Sequence, residues 1–376
     1  MKIAYVYDVI YPWVKGGAEK RIWELSKRLS KKHDVHIYGM KYWKGKNVVE
    51  KDGVKLHGVC SSKELYTATG KRSVIQPIYF SKNLWMPLMH ENFDVLDCCA
   101  FPYFPCFVSK FCSVKNSYKM FVTWHEVWDR YWYEYLGGFG IFGRAVEFFT
   151  SGLTTHNIAV SEKTKKQLIR LGVDERHIDV VPNGIDLKKI KKIKPSGEGF
   201  DILFAGRLIK EKNIDILLQT VEILKKTYPR IKCGIIGDGP EKKSLELLTK
   251  NLDLSRNVKF LGFLESEQVY ATMKSSKVFV LPSTREGFGI VALEANACGL
   301  PVVTLKHEKS AVDELIENGK NGFLVDELST LKISEKIDKL MDKKRWNEMS
   351  KNSIEFARVY DWDIIAKSIM KVYGGG

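Results

Sequence analysis

The chain has 376 residues, 44% of them hydrophobic and 28% charged, which is enough for two soluble domains of ordinary size or one large one. Its formal charge of +15 suits phosphorylated substrates or anionic headgroups. No zinc-finger spacing or RNA-binding aromatic signature places bases, so nucleic acid is not expected as a partner, and no run reaches the roughly 18 apolar residues of a spanning helix.

Lys2–Tyr7 reads as a first strand and not a signal peptide, followed by a Gly16-Gly17 turn. Ala18–Ser30 has Ala18, Ile22, Leu25 and Leu29 on one helical stripe, and Asp34–Gly39 reads as a second strand. Segments 94–98, 119–123 and 156–160 read as short strands. The intervening stretches 101–108 and 131–142 read as aromatic-rich loops. With the lysines, those aromatics suit a water–headgroup boundary, although rings closing a core explain most of them equally well. Ser161 is placed to cap a helix over 162–171 that ends at Gly172. The basic run Lys188–Lys194 and the glycine-rich 195–199 form the best linker.

Beyond it the alternation restarts. Strands are expected at 201–205, 231–237, 258–261, 278–281 and 301–304. Helices are expected at 215–227, 241–251, 267–274 and 289–297. Strands spaced by helices imply parallel sheets of βαβ units. The expected fold is α/β, with two doubly wound Rossmann-like domains facing across a cleft. The expected domain boundaries are 1–194 and 195–357, divided at that linker.

Glu286 lies in a loop broken by Gly287 and Gly289, and Glu294 follows eight positions later inside an apolar helix. Such glycines let backbone approach a ligand, and free amides at a helix start suit an anion or a hydroxyl. Two carboxylates so placed can accept hydrogen bonds from a polyol, although a turn with one solvated glutamate fits the same residues. Arg207 follows a strand and Lys212 precedes a helix. Together they can neutralise a pyrophosphate without a metal, or be plain surface cations. His125 closes another strand among aromatics. The seven cysteines contain no CxxC pair, so neither a disulfide framework nor a zinc site is expected, and a reducing cytosol fits.

Taken in order, several motifs resemble the retaining GT-B glycosyltransferases of family 4, the "glycosyl transferases group 1" set. They are Gly16-Gly17, His125, Val181-Pro-Asn-Gly-Ile-Asp186, Gly206-Arg207 with Lys212, and Gly237-Asp-Gly-Pro240. Glu286-x7-Glu294, Gly299-x-Pro-Val-Val303, Asn321-Gly-Phe-Leu-Val325 and Tyr360-Asp-Trp362 complete the set. The resemblance spans nearly the whole chain, and it implies that 1–194 is an N-terminal acceptor-binding domain, that 195–357 is a C-terminal nucleotide-sugar-binding domain, and that a C-terminal helix, 358–376, crosses back onto the first.

The resemblance implies a hexosyltransferase using a UDP-, GDP- or ADP-sugar as co-substrate, with no further cofactor and no metal. Arg207 and Lys212 would clamp the diphosphate, with Gly16, Gly17 and Gly206 nearby. Glu286 would face the sugar ring, Glu294 the ribose, and His125 a sugar hydroxyl. Amides around Phe288, Gly289 and Ile290 would hold hydroxyls or phosphate, and Phe263 would lie near the base. The expected acceptor is a glycan or a lipid-linked molecule, reached from the cytoplasm at the inner face of a membrane. Three alternatives stay open: a catalytically silent nucleotide-sugar-binding subunit of a glycan-assembly complex, an inverting GT-B enzyme, and a nucleic-acid protein.

Overall fold

The computed structural model describes residues 1–65 and 72–374. Gly375 and Gly376, the end of the expected 358–376 segment, lie outside the described residues. The chain divides into two compact units, Met1–Asn183 with Trp362–Gly376, and Gly184–Asp361.

The first unit carries β1 (Lys2–Val6), β2 (Asp34–Lys41), β3 (Val48–Lys51), β4 (Val54–Ser61), β5 (Val95–Cys99), β6 (Lys119–Trp124), β7 (Asn157–Ala159) and β8 (Ile178–Val180). Their order across the sheet is β3-β4-β2-β1-β5-β6-β7-β8, and all pairs are parallel except the β3–β4 hairpin. The chain moves outward one way from β1 and the other way from β5. The topological switch point therefore lies at the adjacent ends of these two strands, where open α/β sheets bind ligands. Central strands are buried on both faces, as parallel strands covered by helices must be.

The second unit carries β9 (Ile202–Ala205), β10 (Cys233–Ile236), β11 (Val258–Gly262), β12 (Val278–Leu281), β13 (Val302–Leu305) and β14 (Gly322–Val325). The order is β11-β10-β9-β12-β13-β14, parallel throughout, so its switch point lies between β9 and β12. The last helix, Trp362–Tyr373, belongs to the first unit. Its Tyr373 hydroxyl donates 2.6 Å to the buried Asp97 carboxylate on β5.

Three expectations need correction. The basic run is a helix, Leu187–Lys192, whose N-cap Asp186 accepts the Lys189 N–H at 2.8 Å, and it lies inside the second unit. The unit boundary thus falls between Asn183 and Gly184 rather than after residue 194, and the return to the first unit comes at Trp362 rather than residue 358. The two aromatic stretches are largely helical. Phe104–Asn116 tolerates Pro105 because a first-turn residue needs no intrahelical N–H bond, and Tyr131–Leu136 and Gly140–Ser151 flank a turn at Gly137. Ser161 does cap Glu162–Arg170, accepting the Thr164 N–H at 3.1 Å, and Gly172 follows with φ +97°.

Candidate active site

The second unit's switch point gathers most of the expected residues. Gly206 and Arg207 leave β9, and Arg207 is exposed. The loop turns back at Asn213, whose φ of +49° an asparagine tolerates better than most side chains. Asn213 donates from Nδ2 to the Pro282 carbonyl at 2.8 Å, and the Thr284 N–H donates to the Glu211 carbonyl at 3.0 Å. These bonds tie the loop after β9 to the loop after β12. Across the tie, Lys212 and Glu286 form a direct ion pair, each side chain 14% exposed. Their expected roles were separate, on diphosphate and on sugar. The fold makes them one mixed-charge contact.

Glu286 is held on its other side by the loop after β13. Its N–H donates to the Lys309 carbonyl at 3.1 Å, and its carbonyl accepts from Ala311 at 2.8 Å. The chain then enters the Ile290–Ala297 helix through Gly289, with φ +80° and no side-chain cap. A Cβ at Gly289 would collide with Val312, so the glycine is required by both conformation and space. Gly237 has a φ of +132° and lies so close to Gly206 that a Cβ would strike that carbonyl. Phe288 is buried and packs against Tyr360 at 6.3 Å between ring centroids. Phe263 follows β11 and is 61% exposed.

Glu294 is not a solvated helix residue. It is buried within the second turn of its helix and accepts a 2.7 Å hydrogen bond from the Tyr270 hydroxyl. Tyr270 was missed by sequence reasoning, as was Asn213 as a loop tie. Tyr270 lies on the separate Ser266–Lys274 helix, and no local spacing announces the contact.

The first unit's switch point has different chemistry. Asp8, just past β1, is fully buried and paired with Arg72 at 2.5 Å. Its second carboxylate oxygen, Oδ1, has no hydrogen-bond partner among the described residues. The buried Tyr42 hydroxyl likewise has no partner among the described residues, and the Arg72 N–H donates to the Tyr135 hydroxyl at 2.5 Å. Gly16 and Gly17 open the Gly17–Leu29 helix as expected. However, the carboxyl of Glu19, one turn on, folds back and accepts the Gly16 N–H and its own. Burial pushes the Glu19 carboxyl above its ordinary pKa, with Asp8 adding to the rise. None of Asp8, Glu19, Tyr42 and Arg72 stood out in the sequence.

His125 follows β6, with Nε2 cut off from solvent and without a partner among the described residues. Burial and the neighbouring Arg21 hold its pKa down at about 3, so the ring is neutral at pH 7. Arg21 is itself buried and donates to the Pro182 carbonyl at 2.6 Å and Asn183 Oδ1 at 3.1 Å. That contact gives the Pro182-Asn183 motif its structural reason. Among the described residues, no group of three or more His, Cys, Asp or Glu side chains is arranged to hold a metal ion.

The architecture matches solved glycosyltransferase structures of the GT-B fold. Anabaena HepE in complex with UDP and glucose superposes with a TM-score of 0.79 over the full length of both chains, at 19% identity. The phosphatidylinositol N-acetylglucosaminyltransferase gpi3 subunit of Schizosaccharomyces pombe is 25% identical over 98% of this chain and 79% of its own. The alpha-monoglucosyldiacylglycerol synthase of Acholeplasma laidlawii is 28% identical over 57% of each chain. Residues 15–189 match the model for Glycosyltransferase Family 4, and residues 186–359 match that for Glycosyl transferases group 1. The Gly16-Gly17 turn lies in the first of these matches, and the Arg207 and Lys212 cations and the paired glutamates lie in the second, so the chain belongs to the group 1, family 4 glycosyltransferases, as a glycosyltransferase enzyme.

Proposed function

We propose that the protein moves a hexose from a nucleotide-diphosphate sugar to a lipid-linked or glycan acceptor with retention of anomeric configuration and without a metal. The observation that carries this reading is the Lys212–Glu286 pair, fixed by three loops at the switch point of the second sheet. A lysine beside a carboxylate at the end of parallel strands can serve the two ends of a sugar diphosphate. The cation takes phosphate oxygen, and the carboxylate accepts a sugar hydroxyl.

In this reading Arg207 and Lys212 stabilise charge as the bond from anomeric carbon to phosphate oxygen breaks. Such preorganised donors are worth about 10²–10³ in rate. Glu286 orients the sugar ring. Glu294, aligned by Tyr270, accepts from the ribose hydroxyls. The Gly289 turn presents the start of its helix to hydroxyl or phosphate. His125 is neutral, so it serves as a hydrogen-bond partner for a sugar hydroxyl and not as an acid. The acceptor hydroxyl attacks the face the leaving group vacates, and its proton passes to the departing phosphate. Asp8, with its unpartnered Oδ1, accepts from acceptor hydroxyls in the first unit.

A lipid-linked acceptor is supported by the names of two relatives, a phosphatidylinositol and a diacylglycerol glycosyltransferase. The test begins with thermal shift against UDP-, GDP- and ADP-sugars, since a ligand of the native state raises apparent stability. Transfer is then followed with the stabilising donor in EDTA, and the product's anomeric configuration is read by NMR. An inverted anomeric centre, or activity lost to EDTA and restored by a divalent ion, would overturn the mechanism.

A further inference from the structure

Three helices of the first unit, Ile75–Met89, Phe104–Asn116 and Gly140–Ser151, carry a surface that the transfer reaction does not use. They connect β4 to β5, β5 to β6 and β6 to β7. Each connection crosses the sheet in the same direction, and right-handed crossovers therefore put all three helices on one face. The Gly17–Leu29 helix runs from β1 to β2 the other way and covers the opposite face.

Their outward residues are apolar to an unusual degree. On the first helix Ile75 is 75% exposed and Met86 60%. On the second, Phe107, Phe111 and Val114 form an exposed stripe at helical spacing. On the third, Phe142 is 66% exposed, Phe149 63% and Phe148 53%. Trp85 stacks on Phe111 at 4.4 Å between centroids, which joins the first two helices into one surface. Beside that stack lies an open apolar groove of about 450 Å³ lined by Ile78, Trp85 and Phe107, with Lys82 at its wall. Exposed apolar patches of this kind mark interaction sites.

The charges choose the occupant. The three helices carry Lys82, Lys110, Lys115 and Arg144 and a single carboxylate, Glu147. Glu147 is fully buried, where it accepts from the Tyr103 hydroxyl and the Trp128 and Asp129 N–H groups. Every outward charge on these helices is thus positive, interleaved with bulky rings. No helix among the described residues is long and apolar enough to cross a membrane. Arg144 is neutralised by Asp129 at 2.7 Å, so Lys82, Lys110 and Lys115 carry the charge of this face. Bulky rings with cations on helices that present no acid of their own suit the plane between anionic headgroups and acyl chains, where each basic side chain adds attraction.

We infer that this three-helix face of the first unit docks on an anionic phospholipid bilayer, inserting the Trp85–Phe111 and Phe148–Phe149 rings between headgroups. The inference deepens the lipid-linked-acceptor reading by naming a face. Vesicle partition needs no acceptor, so the two stand or fall separately.

The experiment is co-sedimentation of the full chain with phosphatidylglycerol–phosphatidylcholine vesicles and with pure phosphatidylcholine vesicles at low and high salt. The wild-type chain is expected to partition onto the anionic vesicles and to be released by salt. The double variants W85S/F111S and F148S/F149S should each lose about 10-fold or more of that partition. K110A/K115A should lose roughly 10-fold on anionic vesicles and little on neutral ones. Unchanged melting temperature, and an unchanged thermal shift with whichever nucleotide sugar stabilises the wild type, certify that each variant is folded. Binding equal to wild type in both aromatic variants overturns the proposal, and so does a wild-type chain that ignores anionic vesicles. A dimer in solution that W85S/F111S dissociates without altering vesicle binding assigns the face to a second copy instead. Partition that follows these changes while no lipid is glycosylated keeps the docking face and removes the lipid-linked acceptor.

Discussion

The two switch points share a topology and differ in chemistry. At β9 and β12 the loops are glycine-rich and present Arg207 and Lys212 beside Glu286, with side chains that water still reaches. At β1 and β5 the corresponding place holds Asp8, fully buried, with Arg72 as its counter-ion and Glu19 folded onto the helix start. One end of a parallel sheet is a general place to bind, and the side chains decide what. Accessible cations suit a doubly charged leaving group. A sequestered carboxylate with an unmet oxygen suits a neutral hydroxyl, because a buried acceptor left unpaired costs about 1–3 kcal/mol until a donor arrives.

The sharpest way to break this contrast is to remove charge on the donor side. Arg207→Ala and Lys212→Ala are each expected to lower turnover about 100-fold or more, measured as steady-state transfer. Full activity in both would put the diphosphate elsewhere. Asp8→Asn is the mirror experiment. It should leave donor affinity by calorimetry unchanged while transfer falls by roughly 10-fold or more, because the amide withdraws an acceptor oxygen from the site. A variant that loses donor binding instead would erase the division between the two ends.

Gly289→Ala tests whether donor binding depends on the backbone turn. The left-handed φ costs a side chain about 1–3 kcal/mol, and the collision with Val312 adds to it. Both chemical stability and donor affinity should fall, and a variant with wild-type affinity would remove the turn from the site. Tyr270→Phe should weaken donor binding by about 10-fold, because Glu294 loses the hydroxyl that aligns it, and should also cost about 1–3 kcal/mol of stability as a buried acceptor loses a donor. Unchanged affinity would make the Tyr270–Glu294 contact purely structural.

The smallest effect separates the units in acid. Burial and the neighbouring His36 hold His57 down at about 4, against an ordinary 6.5, and burial and Arg21 hold His125 at about 3. Between pH 6.5 and 4 the unfolded chain binds protons that the folded first unit refuses, so stability is lost as pH falls through that window. His57→Gln should recover about 1–2 kcal/mol of that loss near pH 4 in denaturant titrations followed unit by unit. A pH profile identical to wild type would discount the buried ring.

Five of the second sheet's six strands were legible in sequence because they are short, mostly buried and punctuated by glycine; the edge strand Gly322–Val325 was not. Val278–Leu281 is bounded as expected. Sites built from one loop were equally legible: Gly289 and Glu286 could be read from spacing alone. Contacts between distant segments were not. Tyr270 meets Glu294, and Arg72 meets Asp8 across 64 positions, through packing that no local pattern encodes. The aromatic helices were hidden by Pro102, Pro105 and the Gly137-Gly138 pair, which read as loop punctuation. The basic run suggested a linker because charge masked an ordinary capped helix.

The Ile185 N–H donates to the Tyr360 carbonyl at 2.9 Å, and Ile185 bridges Asp361. The second unit's first and last residues are therefore neighbours, while the chain's own ends both belong to the first. In genetic terms residues 184–361 are a cassette inserted into a host. A cassette whose ends meet can be exchanged for a related block with its two junctions, 183/184 and 361/362, side by side. Under the function proposed above, such a replacement changes donor choice and leaves the host unit as it is.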